Sequence, residues 1–182
     1  MKRLLTGTRI YLSGFMEEDI LLIREWNQNE KVQRLLDAVP HKPKTVEELK
    51  KWMGDPGSNG FRFAIRLKDN GRMIGFAELD GILWNHRVGG IAISIGDEES
   101  WGYGYGKEAL QCLLAYAFHE LNLHRVQLTV FSYNERAISL YESLGFQKEG
   151  SYREFLQRDG KRHDMFLYGL LADEWKESVK EG

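Results

Sequence analysis

Apolar positions along this chain change period several times, and each change marks an element. In the middle of the sequence they fall at Ala109, Leu110, Leu113, Leu114, Ala117, Phe118 and Leu121. That i, i+3, i+4, i+7 spacing predicts a helix with one buried face, opening just after Lys107. From Arg125 to Phe131 the period becomes two, with Val126, Leu128 and Val130 alternating against Gln127 and Thr129. Alternation with β-branched residues predicts a strand. Asn134 then stands where it can cap a short helix, and Gly145 where it can end one in the left-handed conformation.

The same reading covers the rest of the chain. Arg9 to Leu12 is a short strand. Glu17, Glu18 and Asp19 open a helix with Ile20, Ile23 and Trp26 on one face. A second helical piece covers Lys31 to Leu36. After a loop with Pro40 and Pro43, Thr45-x-x-Glu48 forms a capping box for a helix through Met53. Phe61, Phe63 and Ile65 alternate with polar or small residues, and the Asp69-Asn70-Gly71 turn leads into an antiparallel partner over Arg72 to Asp80. Gly89 to Ile95 is a third strand. Tyr152 to Gln157 and His163 to Leu171 flank Arg158-Asp159-Gly160-Lys161 as a final hairpin. Strand, helices, three strands, helix, strand, helix and two strands make a mixed α/β layer fold and not a regular parallel alternation.

Candidate chemistry concentrates in Trp101-Gly102-Tyr103-Gly104-Tyr105-Gly106-Lys107, directly ahead of the long helix. A glycine turn at a helix start exposes backbone N–H groups, adds the positive end of the dipole and lets phosphate approach closely. The spacing is not the dinucleotide G-x-G-x-x-G, and the end of the following strand carries no acid. It is one residue short of a Walker A loop, with Glu108 where Ser or Thr should be.

Together with Asn134-Glu135-Arg136-Ala137-Ile138-Ser139-Leu140-Tyr141-Glu142-Ser143-Leu144-Gly145-Phe146, the glycine run resembles the GNAT superfamily of acetyl-CoA-dependent N-acetyltransferases. Gly104 and Gly106 match the fixed positions of its [QR]-x-x-G-x-[GA] pyrophosphate loop, and the later segment matches N-x-x-A-x-x-x-Y-x-x-x-G-F. The likeness is strongest to the branch of ribosomal-protein N-terminal and spermidine acetyltransferases. One departure is Trp101, which stands where many relatives carry Gln or Arg.

The resemblance implies a single domain over residues 1–182, with a mostly antiparallel sheet, splayed central strands and helices on both faces. It implies that acetyl-CoA is held by the backbone of Ile93, Ser94 and Ile95 and by Trp101, Gly102, Tyr103, Gly104, Tyr105, Gly106 and Lys107. Asn134 matches the position that bonds the cofactor arm or orients the site, a role compatible with capping. Tyr141 matches the general acid that protonates the departing thiolate. The aromatic rings of Trp101, Tyr103 and Tyr105 can stack on adenine or pack the loop.

Composition narrows the function classes. The chain has 182 residues, a net charge of −2 and 42% hydrophobic residues, enough for one core and with no long-range pull toward nucleic acid or membrane. No apolar run is long enough to span a bilayer, and Met1 to Thr6 lacks a long apolar segment. The lone Cys112 cannot form an internal disulfide and reads as a helix-packing thiol in a cytoplasmic protein, though an acyl-carrying nucleophile is the other chemistry open to it. The five histidines lack metal-ligand spacing, so no metal is expected. Glu78, Asp80, Glu98 and Glu99 are the candidate bases, each also readable as a solvated acid. The expectation is direct attack by a primary amine, a protein N-terminus or a small amine or polyamine, entering beside the N-terminal helices; a homodimer is left open. The rival is a CoA-binding regulatory or interaction module without turnover.

Overall fold

The computed structural model describes residues 3–176; both ends of the expected 1–182 unit, residues 1–2 and 177–182, lie outside it. The elements are β1 (Ile10–Ser13), α1 (Ile20–Gln28), α2 (Glu30–Leu36), α3 (Val46–Met53), β2 (Phe61–Leu67), β3 (Met73–Leu83), β4 (Val88–Ile95), α4 (Tyr105–Ala115), β5 (Arg125–Phe131), α5 (Glu135–Ser143), β6 (Gln147–Arg158) and β7 (Lys161–Leu171). All seven strands form one sheet in the order β1-β2-β3-β4-β5-β7-β6. Every neighbouring pair is antiparallel except β4 and β5. That parallel pair needs a crossover, which α4 supplies.

The core lies between α4 and the sheet. Ala109, Leu110, Leu113 and Leu114 are buried against Ile74, Ile91, Val126 and Val130. Past Ala115 the helix widens into a π turn, Tyr116–Glu120, where the Leu121 amide donates to the Tyr116 carbonyl at 3.1 Å. The single helix expected through Leu121 therefore ends earlier. Cys112 is buried in the same core.

On the other face, Ile23 and Trp26 of α1 join Leu49 of α3 in a second cluster with Ala64 and Met73. A Cβ at Gly96 would fall 2.2 Å from the Trp26 ring, so only glycine lets α1 seat this closely on the end of β4. The acids expected to open α1 form a separate 3-10 turn, Glu17–Asp19. Asp19 is buried and pairs with Arg66 of β2 at 2.5 Å, while accepting from the Met16 amide at 2.7 Å. A buried carboxylate must be paired in this way, and the pair fastens the entry of α1 to the sheet.

Two further boundaries differ from the expected ones. α2 starts one residue earlier, at Glu30, because the Asn29 side chain caps it by accepting from Val32 N at 3.3 Å. β6 begins at Gln147 instead of Tyr152, because two register shifts against β7 hide its alternation. Among the described residues, no helix is long and apolar enough to cross a membrane.

Candidate active site

The pairing of β4 with β5 runs only from Val88–Arg125 to Gly90–Gln127. Beyond it the strands separate, so from Ile91 to Ile95 this edge of β4 faces a gap and not a strand. Backbone groups at such an edge are a template for an extended ligand. The gap opens into a cavity of about 590 Å³. Its walls include Ile93, Ser94 and Ile95 of β4, Trp101, Gly102, Gly104, Tyr105, Gly106 and Lys107 of the glycine turn, and Asn134 and Tyr141 around α5. The segments singled out in the sequence thus meet on one opening.

Tyr103 is the exception. It does not line the cavity; it is 62% exposed and stacks on Tyr105 with ring centroids 5.9 Å apart. Trp101 packs the loop: its indole Nε1 donates to the Ile95 carbonyl at 2.7 Å. The ring also carries two cations, Arg136 Cζ at 4.7 Å and Lys31 Nζ at 4.8 Å from the centroid. Arg136 lines the cavity as well. Nothing in the sequence marked it beyond its place two residues after Asn134.

Gly104 caps α4 with φ +83°, and Gly102 has φ +86°, conformations that favour glycine. The first α-helical bond runs from the Glu108 amide to the Gly104 carbonyl at 3.1 Å. The amides of Tyr105, Gly106 and Lys107 precede the helical ladder and carry the positive end of the dipole. With Lys107 beside them, the donor set fits a phosphate group. The turn is held from behind by Arg9, whose Nη1 donates to the Tyr103 carbonyl at 2.8 Å and whose guanidinium lies 4.9 Å from the Tyr105 ring. Glu108 in turn accepts from Arg9 N at 2.6 Å, Arg9 Nε at 3.0 Å and Ile10 N at 3.3 Å.

Asn134 caps α5 by accepting from the Ala137 amide at 3.2 Å. Two turns on, Tyr141 lies only 7% exposed with its ring edge-on to Phe146. Burial pushes its phenol up to about 12, so it is protonated at neutral pH. Next to it, Glu142 accepts from the Tyr168 hydroxyl at 2.7 Å, tying α5 to β7.

The candidate bases separate by their partners. Glu98 accepts from Lys31 and Asn29, both at 2.7 Å; these bonds hold its carboxyl below the ordinary range. Glu78 pairs with Arg62 at 2.7 Å and stands opposite Ala92, a cavity residue, on the neighbouring strand. Asp80 and Glu99 are exposed. Among the described residues, no group of three or more His, Cys, Asp or Glu is placed to hold a metal.

Residues 9–147 match the acetyltransferase (GNAT) domain family. The SPbeta prophage-derived N-acetyltransferase YokL of Bacillus subtilis is 27% identical over 94% of this chain and 94% of its own length. The [ribosomal protein uS5]-alanine N-acetyltransferase of Escherichia coli is 29% identical over 64% of this chain and 60% of its own. Among solved structures, the Vibrio cholerae spermidine N-acetyltransferase in complex with CoA and spermine superposes with a TM-score of 0.82 at 26% identity, covering 91% of this chain and 97% of that one.

Proposed function

The chain belongs to the GNAT acetyltransferase family and is an acetyl-CoA-dependent N-acetyltransferase; we propose that its transfer runs in the gap between β4 and β5, with Tyr141 as the acid. One observation carries this reading: a single opening has a glycine-turn phosphate cradle on one side and a buried, protonated tyrosine on another. Acetyl-CoA supplies the activated acetyl thioester, and the primary amine of the acceptor attacks it.

The amides of Tyr105, Gly106 and Lys107, with the Lys107 ammonium, hold the pyrophosphate. The gap-facing backbone of Ile93 to Ile95 pairs with the extended arm and orients the thioester carbonyl; alignment of this kind is a large part of the rate. Asn134 fixes the start of α5, and so the direction in which Tyr141 presents its hydroxyl. Tyr141 then gives its proton to the departing sulfur, and the proton that the nitrogen sheds as the amide forms returns through water to the phenolate. An ordinary phenol holds its proton more tightly than an ordinary thiol, about 10 against 8.5. The apolar surroundings that raise Tyr141 raise a thiol in the same cavity too, so that gap does not widen in full. Cys112 is buried in the core cluster under α4, which supports direct attack without an acyl-enzyme.

The reading extends to a cytoplasmic enzyme without nucleic-acid or membrane partners, supported by the net charge of −2. A homodimer is its candidate assembly, and sedimentation tests that. For the chemistry, the measurement is amine-dependent thiol release in Tyr141→Phe. The ring remains and the hydroxyl goes, so kcat should fall by about 10²–10⁴ while the acetyl-CoA constant barely moves. Full activity in that variant would remove Tyr141 from the mechanism.

A further inference from the structure

α2 presents Val32, Leu35 and Leu36, spaced i, i+3 and i+4, to the cavity. This apolar stripe is fixed in place from several directions. The Tyr133 hydroxyl donates to the Arg34 carbonyl at 2.7 Å, and Arg34 Nη2 pairs with Asp159 at 2.6 Å. Arg158 Nη2 donates to the Asp37 carbonyl at 2.6 Å, and Gln33 Nε2 to the Trp26 carbonyl at 3.1 Å. The tip of the β6–β7 hairpin thus clasps α2 over the opening. Phe131 and Tyr133, with rings 5.4 Å apart, continue the apolar wall from β5.

On the side of α2 the cavity carries, among the described residues, no carboxylate to receive a polycation, since that helix lines it with Val32, Leu35 and Leu36. The charged residues that line it, among those described, are Lys107, Glu135 and Arg136, and the two cations stand at the cradle that takes the cofactor phosphates. All three belong to the glycine turn and the first turn of α5, and none to α2. A polyamine brings a second ammonium, which would meet the Val32–Leu36 stripe without a counter-charge, and an unpaired buried charge is costly. An acceptor with one amine beside an apolar side chain would bury that side chain against the stripe instead, which is favourable in proportion to the apolar area removed from water.

Resting on the acetyl-transfer reading above, we infer that the acceptor is a primary amine borne next to an apolar side chain and not a polyamine. The chemistry is that of an amino-acid amide or a peptide N-terminus beginning with Leu, Met or Phe. Leu36, at the end of the stripe, is a specificity-determining residue. Acceptor choice therefore differs from that of the Vibrio cholerae protein, whose structure holds spermine.

The test is steady-state thiol release from acetyl-CoA with leucinamide, with hexapeptides starting in Leu, Phe, Asp or Lys, and with spermidine. At least one apolar amine should exceed spermidine in kcat/KM by about tenfold or more, and Leu should beat Asp and Lys among the peptides. The peptide and leucinamide arms tell which source is preferred. Leu36→Glu, at a position 37% exposed, should lower the apolar-to-spermidine ratio about tenfold or more. Leu36→Ser, which adds no charge, should weaken the apolar acceptors alone and covers the case in which the Glu variant misfolds. Spermidine preferred by the unmodified protein, or a ratio unmoved in both variants, would overturn the inference and leave acetyl transfer standing. No thiol release with any amine would overturn both.

Discussion

Tyr141 keeps its proton because burial raises the cost of the phenolate, moving it from the usual 10 to about 12. Raised in the folded state, it contributes stability that is complete below about pH 10 and lost as the pH climbs toward 12. The protonated form that the proposed acid role needs persists over the same range. The kcat/KM of the transfer should therefore rise as the acceptor amine loses its proton and then stay flat to about pH 10. A descending limb near pH 8 or 9 that disappears in Tyr141→Phe would contradict this assignment. At the cradle, the side-chain contact to phosphate that Gln or Arg can supply is missing at Trp101, yet the indole carries Arg136 on its ring. The position reads from the sequence as a loss, because the ring's partner comes from another element. Arg136→Gln should raise the acetyl-CoA constant about tenfold, the worth of one charge-assisted bond to phosphate. The constant for S-acetylpantetheine, which lacks the pyrophosphate, should not move.

Among the elements, α4 shows how far periodicity reaches. Its apolar stripe and the glycine turn before it were legible from spacing, and Gly104 does cap the helix. Glu108 was not: in sequence it only marks the absence of a Walker serine, whereas in the fold it binds Arg9 and Ile10 at the start of β1, 99 and 98 residues away. Such long-range satisfaction of backbone amides leaves no periodic signal. Glu108→Ala strips the Arg9 and Ile10 amides of their acceptor and leaves Arg9 without its ion pair. Because the Glu108 side chain is only 12% exposed, chemical denaturation should show a loss of about 2–3 kcal/mol. Arg9 also holds the Tyr103 carbonyl, so the acetyl-CoA constant should rise in the same variant. A stability loss with an unchanged constant would mean that β1 anchors α4 without shaping the cradle. α2 was foreseen as a helix, but its amphipathic pattern does not say which partner its stripe faces. β6 was half missed for a different reason, since bulges break the alternation that identifies a strand.

At the scale of the whole molecule, a sheet that is antiparallel at every other neighbour changes direction once, at β4–β5, and comes apart there. The opening is a consequence of topology: one parallel pair, crossed over by α4 and clasped on the other face by α1 and α2. The mixed α/β order and the two motifs could be read from the chain. The seating of α2 over that cavity depends on contacts between segments more than 90 residues apart, Tyr133 with Arg34 and Arg158 of the β6–β7 hairpin with Asp37. A fold with an unfilled gap in its sheet should gain stability when a ligand pairs with that edge. At a concentration one hundred times its dissociation constant, a ligand that binds only the folded state adds about 2.7 kcal/mol, which for a chain of this size is roughly 5–10 °C of melting temperature. Acetyl-CoA and CoA should produce such a shift in a thermal melt, and NAD should produce none, since the glycine spacing and the end of β5 lack the dinucleotide pattern. Replacing Gly104, at φ +83°, by Val strains the turn that presents the helix amides. If the cradle is where the phosphate binds, that variant should lose most of the acetyl-CoA shift even after its own lower melting point is taken as the baseline. A full shift retained in Gly104→Val would place the phosphate elsewhere on the molecule.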